Sequence, residues 1–197
     1  MGKIVVTEFM SLDGVIEDPG GAEEYAHGGW SFKFDRGKEG DRYKFDELLA
    51  SDAHLLGRVT YQGFAKAWPA MADNPFGEKM NAMHKYVVSS TMSAADATWE
   101  GSTVLSGQDL SAEIEQIKGE VAGDILLAGS GTLARSLAQH DLVDEYHLMV
   151  FPIVLGSGKR LFDGVPTTVL KLVDSTRVGP DGVFVLTYQP AREAAAG

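Results

Sequence analysis

Ile125-Leu126-Leu127-Ala128-Gly129-Ser130-Gly131-Thr132-Leu133-Ala134 decides the fold. Four apolar residues in a row read as a buried strand. Gly129-Ser130-Gly131 stops it, and a helix follows over residues 132–139. Upstream the same alternation recurs. Strands are expected over 3–9, 53–56, 86–88 and 103–105, and helices over 43–51, 60–68 and 109–121, with a helical turn or two over 76–84. In the 109–121 helix, Leu110, Ile114, Ile117 and Val121 fall on one face. Strands alternating with helices imply a parallel sheet covered on its faces. Downstream the pattern changes. Strands over 145–154, 168–173 and 183–188 leave little room for helices, and Pro180-Asp181-Gly182 marks a turn before the last. The expected fold is α/β: a mixed sheet, parallel in its first part, with antiparallel C-terminal strands, flanked by helices. One domain is expected over 1–190 and a disordered tail over 191–197. Residues 22–40 form a long loop carrying Tyr25, Trp30, Phe32 and Phe34. Loops of that length are functional or disordered, and buried aromatics would mark this one as packing over something.

Composition narrows the function. Of 197 residues, 44% are hydrophobic and 23% charged, which excludes wholesale disorder. The net charge of −11 repels phosphate backbones, so general nucleic-acid binding is not expected. There is no cysteine, which removes disulfides, thiolate catalysis and Cys-ligated metal sites. No run approaches the ~20 apolar residues of a membrane helix. The N-terminus has one lysine but turns acidic at Glu8, unlike a signal peptide. A cytoplasmic location is expected.

Three strand ends carry phosphate-binding chemistry, and ligands of open α/β sheets bind beyond the carboxyl ends of the strands. At Gly57-Arg58-Val59-Thr60 a close-approaching backbone, a guanidinium fork and a helix N-terminus coincide; an ordinary turn with a solvated arginine is the alternative. Ser89-Ser90-Thr91 either binds phosphate oxygens or caps the next turn. Gly129-Ser130-Gly131-Thr132-Leu133-Ala134 satisfies G-x-G-x-x-G/A at a strand–helix junction. A Rossmann half would place an acid at the end of the next strand, where Phe151-Pro152-Ile153-Val154 stands, so that fold is rejected while a dinucleotide phosphate site is kept. Arg58 beside Ser89 and Ser90 suits a 2′-phosphate, which favours NADPH over NADH. Gly156-Ser157-Gly158-Lys159 is no Walker loop, because Ile153 and Arg160 stand where Gly and Ser/Thr are needed. It is a loop that either turns the chain or borders a ligand.

The motifs Ser11-Leu12-Asp13-Gly14, Gly57-Arg58, Gly129-Ser130-Gly131-Thr132-Leu133, Leu142-Val143-Asp144-Glu145 and Pro152 to Phe162 together resemble the reductase domain of the bifunctional riboflavin-biosynthesis deaminase/reductase. The chain is similar to its stand-alone relatives in the dihydrofolate-reductase-like superfamily, over about residues 3–189. The resemblance implies a dihydrofolate-reductase-like fold, NADPH as cofactor and a homodimer. It places Gly57, Arg58, Thr60, Ser89, Ser90, Gly129, Ser130, Gly131, Thr132 and Leu133 at the cofactor. Folate reductases often carry Arg where Thr132 stands. It also places Asp13, Trp30, Gly156 and Lys159 at the substrate. Trp30 and Asp35 have the five-residue spacing found around the folate-reductase acid. The deaminase domain and any zinc motif are absent from the sequence.

The implied reaction is hydride transfer to a C=N or C=O carbon of a small heterocyclic or ribosyl-amine substrate of pterin or pyrimidine type. The protein must hold donor and acceptor together and supply a proton. A carboxylate can orient an amino-pyrimidine ring or relay a proton if burial raises its pKa. Asp13 is the first candidate for the acid, then Asp35, then Glu17. The alternative is a non-catalytic dimeric module that binds a nucleotide or other ligand with the same fold. The five histidines form no i,i+4 pair, there is no G-x-S-x-G elbow, and Met71, Met80, Met83 and Met92 read as packing. No metal site is expected.

Overall fold

The computed structural model describes residues 1–192. The apolar run at 125–128 is strand β5 (Asp124–Ala128). It lies inside an eight-stranded sheet with β1 (Lys3–Ser11), β2 (Ser51–Gly57), β3 (His84–Val88), β4 (Ser102–Leu105), β6 (Glu145–Phe151), β7 (Leu170–Val178) and β8 (Val183–Pro190). The strand order is β4-β3-β2-β5-β1-β6-β8-β7. The pairs from β4 through β6 are parallel, and β8 runs antiparallel to both β6 and β7. The mixed sheet expected from the sequence is the one found.

Among the described residues five α-helices cover the sheet: α1 (Gly37–Ala50), α2 (Arg58–Ala67), α3 (Pro75–Ala82), α4 (Leu110–Glu120) and α5 (Gly131–Gln139). Alternation along β1 assigns the faces. Ile4 and Val6 pack with Ile114 and Ile117 of α4 and Leu133 and Leu137 of α5. Val5 packs with Leu48 of α1, Tyr61 of α2 and Met80 of α3. On that second face Glu47 of α1 accepts from His147 of β6 (2.7 Å), whose other ring nitrogen meets Glu145 (2.6 Å).

The long segment between β1 and α1 contains a 3-10 turn at Trp30–Lys33. Trp30 is fully buried and meets Phe151 edge-on, with centroids 5.4 Å apart. Helix α1 begins at Gly37, earlier than expected, and β7 continues to Val178 rather than ending at 173. Ala191 and Arg192, placed in the tail by the sequence reading, are tied down. Ala191 donates to the Val169 carbonyl, and Arg192 meets Asp141 and Asp144. The remainder of that expected tail, 193–197, lies outside the described residues. Among the described residues no helix is long and apolar enough to cross a membrane.

Candidate active site

The chain lays down β2, β3 and β4 outward, then returns to insert β5 between β2 and β1. That reversal separates the loops leaving the carboxyl ends of neighbouring strands and opens a cleft. Its volume is about 660 Å³, and its walls come from the ends of β1, β2, β3, β4 and β5 and from the loop after β6. Gly57, Arg58, Thr60, Ser89, Ser90, Gly129, Ser130, Gly131, Thr132 and Leu133 all line it. The structure therefore brings together the ten positions at which the sequence placed a cofactor.

Local chemistry shapes this surface. Gly129 turns the chain out of β5 with φ +67°, a conformation that costs an L side chain about 1–2 kcal/mol. Its carbonyl accepts from the Thr60 hydroxyl (2.9 Å). Ser130 precedes α5 but does not cap it; its Oγ accepts instead from the Gly57 amide (3.0 Å). That bond staples the starts of α2 and α5 side by side. Neither helix has a side-chain cap, so the first-turn N–H groups of both remain available to an anion. Arg58 is within reach of Gln62 (3.2 Å), and no carboxylate pairs with it among the described residues. Ser89 takes the capping role: its Oγ accepts from the amides of Thr91 and Met92, leaving Ser90 exposed at the rim.

At the β1 end of the cleft stands Glu8, which the sequence reading passed over. It is only 4% exposed, and its Oε1 is buried without a hydrogen-bond partner. Burial pushes its pKa up to about 8, against the charge of Lys44 and the Gly129 amide. Ile16, Glu17, Asp18 and Lys159 complete this end. The Lys159 ammonium lies 2.6 Å from Glu17, and this contact holds the Glu17 carboxyl below its usual range.

The other expected site residues sit elsewhere. Asp13 does not line the cleft. Its carboxylate accepts from the Ser11 hydroxyl (2.7 Å) and from the amides of Leu155 (3.1 Å) and Gly156 (2.9 Å), with Arg160 at 3.5 Å. Partial burial pushes that carboxyl up, but these bonds outweigh it and hold its pKa at about 2. So engaged, the carboxylate joins the end of β1 to the loop after β6. Gly156 belongs to the same junction. Asp35 is exposed; its carboxylate accepts from the Gly37 amide at the start of α1. Trp30 is core, its indole donating to the Glu17 carbonyl. Of the four expected substrate contacts, only Lys159 reaches the cleft. No group of metal-ligating side chains forms among the described residues.

Comparison with known proteins agrees with this architecture. The YyaP protein of Bacillus subtilis (strain 168), itself uncharacterized, is 29% identical over 192 residues, covering 94% of each chain. A solved structure of a protein named for riboflavin biosynthesis in Shewanella sp. PV-4 superposes with TM-score 0.73 at 22% identity, covering 96% of this chain and 99% of that one. Dihydrofolate reductase from Enterococcus faecalis, solved with NADP(H), superposes with TM-score 0.57 at 18% identity over 97% and 98% of the two chains. The fold is dihydrofolate-reductase-like. The family model for the RibD C-terminal domain matches residues 2–184, and the chain belongs to that family.

Proposed function

We propose that the protein is an NADPH-dependent reductase that passes a hydride to a small heterocyclic or ribosyl-amine substrate of pterin or pyrimidine type. The observation that carries this reading is the pair of uncapped helix starts stapled together by Ser130 and Gly57 over one cleft. Two neighbouring sets of free N–H groups suit a pyrophosphate. With strands about 4.8 Å apart, the cleft from β4 to β1 spans about 19 Å, room for an extended dinucleotide. Family membership adds a reductase-type function.

The residues present fit the cofactor, which supplies the hydride when bound. The first turns of α2 and α5 hold the pyrophosphate. Arg58 and Ser90 face the additional phosphate, the guanidinium offering a fork for its oxygens. At the β1 end, Glu8 and Ile16 would border the nicotinamide. Asp13 has a positioning role, fixing the 153–160 loop that carries Lys159 to the rim. A cytoplasmic location and a homodimer belong to the same reading.

Thermal-shift titration tests it. A ligand at ~100 times its Kd adds about 2.7 kcal/mol of stability. NADPH is expected to shift the transition more than NADH at equal concentration. Arg58→Ala is expected to weaken NADPH about tenfold and NADH little, as for a lost charge-assisted phosphate contact. Equal losses for both cofactors would remove the 2′-phosphate from Arg58. No shift with NADPH, NADP⁺ or NADH at millimolar concentration would overturn the reductase reading in favour of a non-catalytic module.

A further inference from the structure

Glu8 shares a face of β1 with Ile4 and Val6, which are core. Period-two alternation asks for an apolar side chain there, yet a carboxyl occupies the position. Strand β5 pairs with β1 through Thr7 and Ala128, so the chain leaves β5 at Gly129 beside Glu8. The carboxyl is thus buried under the glycine loop while bordering the open cleft, and Oε1 meets no protein donor or acceptor. Buried polar atoms in native proteins are almost always paired, so an orphan oxygen on a carboxyl that borders a cleft leaves a hydrogen-bonding position for a ligand group.

The surroundings set its charge state. Lys44 of α1 acts through the sheet from the opposite face, where its ammonium is held by Thr7 and Glu47. Around the cleft stand Glu17, Asp18 and Glu23 of the segment after β1, Arg58 of α2 and Lys159 of the loop after β6. Lys159 is spoken for by Glu17. Gly129, just after β5, offers the carboxyl its amide but no charge, and Leu148 on β6 carries none. No cation pairs with Glu8 directly, so the uncharged carboxyl is the stable form near neutrality. An uncharged carboxyl is donor and acceptor at once. Its complement is an edge with a carbonyl oxygen beside an N–H, whereas an ionised carboxylate complements two adjacent donors.

We propose that Glu8 is a specificity-determining residue that reads an amide edge, a carbonyl oxygen beside an N–H, on the ring bound at the β1 end of the cleft. The proposal rests on the reading of the cleft as a dinucleotide site. Two ligands present such an edge: the carboxamide of the nicotinamide and a lactam in the substrate ring. The same chemistry serves either, and it makes affinity depend on the Glu8 proton.

Isothermal titration calorimetry on the full chain decides it, with NADP⁺ as one probe and uracil, in the presence of saturating NADP⁺, as the other. Working between about pH 7 and 9 keeps the 2′-phosphate in one charge state and stays below the ionisation of the uracil N–H. If only the protonated acid binds, affinity falls by about 10-fold across that range for a group titrating near 8. Glu8→Gln keeps a donor and an acceptor but has no proton to lose, so its profile is expected to be flat within about twofold. A falling wild-type profile with NADP⁺, flat in Glu8→Gln, assigns the carboxamide. A flat NADP⁺ profile with a falling uracil profile, again flat in the variant, assigns the substrate lactam. Flat wild-type profiles with both probes, or a fall that persists in Glu8→Gln, overturn the proposal. Absence of NADP⁺ binding at every pH overturns the dinucleotide reading, and Glu8 falls with it. The wild-type profiles carry the decision by themselves should Glu8→Gln not fold.

Discussion

Asp13 joins the loop after β1 to the loop after β6 by accepting from Ser11, Leu155 and Gly156 with one carboxylate. Its folded pKa of about 2 lies below the ordinary value, so the clamp stabilises the fold above about pH 4 and fades as pH falls toward 2. Asp13→Asn is expected to cost about 1–3 kcal/mol near pH 7, the worth of hydrogen bonds to a charged acceptor. Urea unfolding at pH 7 and at pH 2.5 checks it: the gap between wild type and variant should narrow at the lower pH, and an unchanged gap would deny the carboxylate its role. The NADPH thermal shift should survive the substitution. Asp13 was legible in the sequence as a special residue, since an acid in Ser-Leu-Asp-Gly after a strand is conspicuous. Its partners are 142 and 143 residues away, and no local pattern announces them. Glu8 was legible only as an irregularity, an acid inside a β-branched run. Its place in the cleft depends on β5 being inserted beside β1, which the order of elements along the chain does not specify. The glycine and hydroxyl motifs at 57–60, 89–90 and 129–133 were readable because each is contiguous and sits at a strand end.

The turn between β7 and β8 shows what an element owes to distant chain. Pro180-Asp181-Gly182 was readable as a turn, and the turn forms. Its docking was not readable. Asp181 accepts from the Asp35 amide (2.7 Å), and Gly179 lies with φ +63° directly against the backbone of Asp35 and Arg36. A Cβ at 179 would collide with Asp35 O and Arg36 C, which cannot swing away as a side chain could. Gly179→Ala combines that overlap with a left-handed backbone, and about 3 kcal/mol of stability should be lost. Urea unfolding with an unchanged m-value would report it. A loss under about 1 kcal/mol would mean that the turn and the start of α1 are not packed together in solution. This docking also explains two boundaries that pattern reading missed. Helix α1 starts at Gly37 because its first turn, anchored by Asp35, needs no apolar residue. Strand β7 runs past 173 because β8 pairs with it, while most of its side chains are exposed and show no alternation to read. Helix α4 was legible nearly to its ends because Ile114 and Ile117 are wholly buried on one stripe.

Across the whole molecule the two edges of the sheet differ. Strand β4 has four residues, too short to recruit a partner, whereas β7 has nine. On and beside β7 stand Val169 (71% exposed), Leu172 (48%) and Val173 (50%), with Phe184 (43%) on β8. A bulge between Leu172 and Asp174, and the charges of Lys171, Asp174 and Arg177, oppose simple strand-to-strand extension. The proposed homodimer would therefore use the apolar side chains of this edge, packed face to face. Each protomer carries −11, so association works against net repulsion. Salt at 0.1 M screens charges beyond about 10 Å, and the dimer should tighten as ionic strength rises to that level; an interface held by ion pairs would loosen. The cleft occupies the β4-to-β1 side of the sheet, three places from β7. Separating the protomers should therefore leave cofactor binding in place. Leu172→Glu puts a charge into the proposed contact and should yield a monomer by size-exclusion chromatography with light scattering, while keeping the NADPH thermal shift. A wild-type monomer at tens of micromolar would remove the dimer altogether. A variant that stays dimeric would move the contact off this edge, and one that loses the NADPH shift along with its partner would mean that the second protomer completes the cleft.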